Sequence, residues 1–383
     1  MSHGRATARP ITVRAGLAAI AAVALASCAS VGGTPATPST TVATTAPASS
    51  PSAAPSSSAV TGSSTASGSA SPTSSSPTTK TPAPIAGVPR SAPLTNAQMI
   101  VTRNQDGKND LYVIDATTGM VGAQLTKDAP GSQWPTMSPD RSTILYAQTS
   151  DHGIELRMMA ADGTGDRPLV TSDSEFCQNP QRPAWNPVDT AEIAVACRSG
   201  DQDKLALISV DGTLRSTINT GFPAFDDPTY SPDGKLLAYW ASTTPGEHSG
   251  AIYVQPVNGS EAPKQVTTPG ARANDVDPVW SPDGKYLYFR RATEDASGGS
   301  TAQILRVNAD GSGLTPITDG TAFDNDPTVS PDGTQLAFYS NRVNAAGNND
   351  GQIWVINVDG TGLRQVGIGK PGHASGPPEW SRR

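Results

Sequence analysis

The first 93 residues contain no Asp and no Glu, and only five of the 27 Lys and Arg. All 34 acidic residues therefore lie in the remainder, against 22 basic ones. Such an acidic body argues against a nucleic-acid partner, whose phosphates call for a basic face. Beyond the N-terminus no apolar run approaches the roughly 20 residues that cross a bilayer. There is no GxSxG nucleophile elbow. Histidine occurs four times, as His3, His152, His248 and His373, with no fixed spacing. Three histidines can in principle ligate zinc, but distant loops with irregular spacing are a poor basis for it. Cysteine occurs three times, as Cys28, Cys177 and Cys197.

The N-terminus has the layout of a targeting segment. Arg5, Arg9 and Arg14 precede an apolar run over 15–26, which ends in Leu25-Ala26-Ser27-Cys28. These residues resemble a bacterial lipobox, in which small residues suit the signal peptidase and the cysteine thiol accepts diacylglycerol. The resemblance implies a signal peptide over 1–27 and a mature chain starting at lipidated Cys28. That chain would be extracytoplasmic and anchored to the cell membrane rather than spanning it. Residues 29–93 are nearly all Ser, Thr, Ala, Pro and Gly. They have too little apolar surface to offset their ordering entropy, so 28–93 is expected to be a disordered tether. As a flexible coil of about 65 residues it averages on the order of 45 Å end to end. Cys177 and Cys197 form an even remainder in an exported chain, which predicts a disulfide.

From residue 94 the sequence is organised by a repeat. DPVWSPDGKYLYF (277–289) recurs as DPTYSPDGKLLAYW (227–240) and DPTVSPDGTQLAFY (326–339). Worn copies stand at 135–147 and 183–196, and a truncated one, PEWS, at 378–381. Each unit reads as strand A (278–281 in the best copy), a tight SPDG turn, and strand B (286–289). An apolar alternation follows as strand C, for example 353–358. An Asp-Gly or Asn-Gly turn then leads to strand D, since these dipeptides supply the positive φ of a tight hairpin. The prolines that open strand A, at 135, 183, 228, 278, 327 and 378, recur about every 45–51 residues. Four-stranded units of that period indicate a β-propeller. The final copy offers only strand A, and the segment from 97 offers B, C and D. Pairing the chain ends therefore predicts an all-β ring of six blades over 94–383, with no open edges.

The SPDG turns, the aromatic strands after them, Ser340-Asn341-Arg342 and IWVINVDGTG (353–362) resemble the TolB-type, WD-like propeller family. The resemblance covers most of 97–381. It implies a propeller of the bacterial envelope whose channel mouth receives a protein or peptide partner. Fold does not fix function, so the loops carry the argument.

The A–B and C–D turns are short, uniform and on one face. The B–C and D–A loops are variable and on the other, where binding usually resides. That variable face is expected to hold Asp226, Asp227, Asp275, Asp277, Asp324 and Asp326 just before strand A, ringing the channel mouth. Trp134, Arg182 and Pro377 take the matching positions in the other blades, and His373 joins from the last loop. An acidic ring could hold a cation, a peptide's amino end or a basic partner. A structural alternative pairs Asp277 with Arg291 and Asp326 with Arg342. The expectation is a monomeric binding or scaffold propeller, without cofactor or metal, engaging an envelope protein, peptide or glycan. The alternative is an extracytoplasmic lyase or hydrolase acting on cell-wall carbohydrate or peptide.

Overall fold

The computed structural model describes residues 87–380, apart from 106, 128–130, 200–201, 245–248, 344–346, 348–350, 367–372 and 375. The lipobox, Cys28, residues 28–86 of the expected tether and His248 lie outside the described residues, whereas 87–93, expected to belong to the disordered tether, are ordered against blade one. The rest is all-β: six antiparallel sheets of four strands each. Five sheets are contiguous in sequence, and the sixth joins His373–Ala374 to the three N-terminal strands. His373 pairs with Asn104 and Ala374 with Arg103, while Ile100 bridges Glu379. The ring is thus closed by both chain ends.

Six apolar clusters build the ring, one in each seam between adjacent blades. In the seam between blades three and four, Trp240, Ile252 and Val254 meet Trp280, Leu287 and Phe289. Equivalent clusters fill the other five seams. The strands alternate apolar residues on both faces because each blade is covered on both sides, as packed sheets require.

The SPDG turn is a closed hydrogen-bond unit. In 281–284 the Ser281 hydroxyl donates to Asp283 Oδ1 (2.6 Å) and accepts from the Tyr286 amide (3.0 Å). Asp283 also accepts from the Lys285 amide, and the Ser281 hydroxyl first and Lys285 after it hold its carboxyl down at about 2. Gly284 supplies φ 70°, which glycine adopts without Cβ strain. The worn copy in blade one has Arg141 at that position, at φ 59°. Its guanidinium donates to the carbonyls of Thr95 and Gln98, tying blade one to the start of blade six. Residues 87–94 also run along blade one, where Leu94 and Ser91 donate to the carbonyls of Arg141 and Ser142.

Strand A is longer than the sequence pattern suggested. In blade four it spans Ala273–Trp280, and in blade three Ala224–Tyr230. Strand B of blade four likewise runs on to Glu294. Cys177 and Cys197 are joined by a disulfide, which ties the segment entering blade two to its strand B, Glu192–Ser199.

Because Ser281 is buried and its hydroxyl serves both as donor and acceptor, Ser281→Ala should cost about 1–2 kcal/mol in urea unfolding. Ser231→Ala and Ser330→Ala, in the same geometry, should cost the same. A loss below about 0.5 kcal/mol at all three would mean that glycine alone sets these turns.

Candidate functional site at the propeller axis

Every strand A from blade one to blade five carries the same irregularity. Between Val276 and Val279 strand A advances three residues while its partner advances two, from Arg290 to Tyr288. The identical shift falls at Gln133/Thr136, Gln181/Ala184, Asp226/Thr229 and Asn325/Thr328. This is a β-bulge with one extra residue. Its second member is always proline, which has no amide hydrogen and so forfeits no ladder bond there. Its first member is left-handed: Trp134, Arg182, Asp227, Asp277 and Asp326 have φ between 48° and 55°. Each such residue costs on the order of 1 kcal/mol relative to an ordinary strand conformation.

The bulge separates the acids that the sequence had grouped. Asp275 and Asp277 are two apart and in a regular strand would share a face. Here they point to different partners. Asp275 is fully buried and takes a two-pronged contact from Arg291, at 2.6 and 2.7 Å. Asp324, also fully buried, is held by Arg342 and by the Ser340 hydroxyl. Asp226 is held by Arg198. Asp275 is thus clamped to strand B of its own blade, Asp324 to residues at and just past the end of its strand B, and Asp226 to strand B of blade two; none of the three lines the axial cavity. The expected pairs Arg291–Asp277 and Arg342–Asp326 do not form. The partner choice is shifted by two residues because the bulge turns Asp277 and Asp326 inward.

Asp227, Asp277 and Asp326 do converge on the axis, together with Arg182, Trp134 and Pro377. They sit within strand A rather than in the loops before it. Arg182 reaches across the channel, with Nε 2.9 Å from Asp227 and Nη1 3.0 Å from Asp326 and 3.5 Å from Asp277. Trp134 stacks on its guanidinium at 5.1 Å. Arg290 lies 3.0 Å from the other oxygen of Asp277. Arg290 was not anticipated from the sequence. The signal was its place beside Arg291 on strand B, where adjacent side chains face opposite ways.

Three carboxylates thus face two guanidiniums in a largely buried setting. Burial, with the neighbouring carboxylates, pushes Asp227 well above the usual carboxylate range and raises Asp326, against the pull of Arg182. The three acids form no group that could hold a metal ion among the described residues. The His373 side chain lies outside the described residues.

The cavity of about 150 Å³ bounded by this ring lies on the side opposite to the expectation. It is walled by strand-A prolines and by Pro139, Pro187, Pro232 and Pro282 of the A–B turns, with Trp185 and Tyr230. It therefore extends from the ring toward the uniform face. The variable loops lie beyond the ring on the other side.

Residues 198–383 match the family described as the TolB beta propeller domain. Over those residues the chain is similar to TolB-type β-propellers. TolB from Acinetobacter baumannii aligns with a TM-score of 0.60 at 15% identity, over 75% of this chain and 67% of that one. The putative TolB from Agrobacterium tumefaciens gives 0.50 at 20% identity, over 73% and 92%. A chain of a nidogen/laminin complex gives 0.52 at 9% identity, over 74% and 97%. At these identities the structural likeness establishes the fold. No curated protein matches the chain in sequence.

The axial electrostatics generate a signed prediction. A carboxyl raised in the folded state contributes stability that is complete below its unfolded value, near 3.9, and is lost as pH rises through the folded value. Asp227 is such a group, facing Arg182, Asp277, Asp226 and Asp326. Asp227→Asn removes this loss, so its melting temperature relative to the parent should climb as pH rises from 4 to 8. A relative stability that falls with pH would contradict the assignment.

Proposed function

We propose that this chain is a membrane-anchored, extracytoplasmic binding propeller that engages an envelope protein, peptide or glycan through its B–C/D–A loop face. The observation that carries the reading is the B–C hairpin of blade four. Its strands, Tyr286–Glu294 and Ser300–Asn308, run past the body of the blade to an exposed tip over 295–299. The tip is organised rather than slack. Asp295 accepts bonds from the Ser297 amide and hydroxyl and from the Gly299 amide. Its root is fixed by the buried Arg291–Asp275 clamp. A preorganised projection on a rigid scaffold loses little entropy on binding, and loops so mounted are where binding residues concentrate. The TolB-like fold supports the same reading, as does the lipobox, which would hold the loop face within reach of other envelope components.

Two experiments test this. Replacing 295–299 by Asn-Gly, a turn suited to two-residue hairpins, should leave the melting temperature within about 2 °C. Partner recovered by cross-linking in native cells should fall about tenfold, a loss of some 1.4 kcal/mol. Undiminished recovery would remove the hairpin from the interface. Cys28→Ser should move the protein from the membrane to the soluble fraction, and mass spectrometry of the parent should show acylated Cys28. Retention of the variant in the membrane would refute the anchor.

A further inference from the structure

The loop-face reading leaves the axial cavity unexplained, and one of its carboxylates is held by ion pairs without an aligned hydrogen bond. Asp277 is 7% exposed and lines the cavity. Neither of its carboxylate oxygens accepts a hydrogen bond. Arg290 and Arg182 approach it, at 3.0 and 3.5 Å, without the alignment that a hydrogen bond requires. A buried carboxylate left this way is costly, and such a group calls for a further donor. Asp227 Oδ1 is in the same condition. Both belong to a ring in which three acids, Asp227, Asp277 and Asp326, meet two guanidiniums, Arg182 and Arg290.

The approach to this acceptor is narrow and lined by prolines, with Thr136, Thr229, Thr328 and Glu379 among them. Prolines from strand A and from the A–B turns make flat walls, with Trp185 and Tyr230 beside them. A compact cationic head with several donors, on a slender aliphatic stem, matches both parts: donors for the carboxylates and methylenes for the walls. A carboxylate or phosphate is disfavoured by the excess of acid. A guanidinium is already supplied internally by Arg182.

We propose that the axial cavity binds one primary alkylammonium group, admitted from the A–B turn face, with Asp277 as its principal acceptor. The site lies across the ring from the variable loops, so it stands or falls independently of the loop-face reading. The ammonium can come from a lysine side chain of a partner or from a free amine.

The test is titration of the full chain with n-butylammonium, read by tryptophan fluorescence, because Trp134 stacks on the Arg182 that shares these acids. Saturable quenching or enhancement is expected, absent with 1-butanol. Loss of a charged hydrogen bond makes Asp277→Asn about 10–100-fold weaker, whereas Asp359→Asn, on an exposed C–D turn of the same face that does not line the cavity, should bind as the parent does. Should Asp277→Asn fold poorly, Arg182→Gln provides the second arm. It removes the internal cation and should bind the amine more tightly and gain melting temperature from it. A capped lysine pentapeptide and its norleucine counterpart separate the sources. Lysine peptide binding tighter than butylammonium points to a partner side chain, and the reverse order to a free amine; either supports the site. No saturable response, an equal response to 1-butanol, or unchanged binding in both Asp277→Asn and Arg182→Gln overturns it.

Discussion

The structure depends on one backbone constraint, the left-handed residue that precedes proline in strand A. Five strands bend at this point. The bend lets strand A continue on both sides of a residue that cannot donate to the ladder. Upstream of it, acids pair with arginines on strand B, just past it, or on strand B of the preceding blade, and fasten the loop-face ends of the blades. At the bulge itself, the side chain turns to the axis. A single local device thus produces two chemically distinct rings of residues from one short sequence, DxDP or its variants. Five left-handed non-glycine residues are tolerated because the six interblade cores over-determine the position of each strand.

The axis is where blades differ most in charge and shape. Blades three, four and five each contribute Asp, blade two Arg, blade one Trp and blade six Pro. Arg182 spans the ring to Asp326, three blades away. This crossing closes the channel at the level of the bulges and divides the molecule into two working sides. On one side stand the irregular loops on clamped roots. On the other lies a small proline-walled cavity with an acidic floor. The uniform turns that first read as mere scaffolding form the walls of that cavity.

The fold was legible because its signals are short-range. Serine and aspartate two apart, with glycine after them, make a turn whose hydrogen bonds are local, and the period of those turns counts the blades. Ring closure was legible because PEWS lacked a strand B and the segment from 97 lacked a strand A. The site was legible only in part. Trp134, Arg182, Asp227, Asp277 and Asp326 could be grouped by their place in the repeat. Asp226, Asp275 and Asp324 were grouped with them because all six stand just before the strand-A prolines; Asp275 and Asp324 lie two residues from the inward acid of their blade, and Asp226 is adjacent to Asp227. Nothing in an Asp-Pro pair announces a left-handed aspartate, since the residue before proline ordinarily stays extended. The same blindness shifted the arginine partners by two residues and placed the ring at a loop-lined mouth instead of inside strand A.

The most direct measurement of this account is a pair of double-mutant cycles on stability, Arg182 with Asp326 and Arg182 with Asp324. The two acids are two residues apart in sequence, and only the bulge distinguishes their directions. Arg182→Gln with Asp326→Asn should show a coupling energy of at least about 1 kcal/mol, although the residues stand on blades three apart. Arg182→Gln with Asp324→Asn should couple by less than about 0.5 kcal/mol. Equal coupling to both acids, or coupling to Asp324 alone, would contradict the inward turn at residue 326 and the axial site that is built on it.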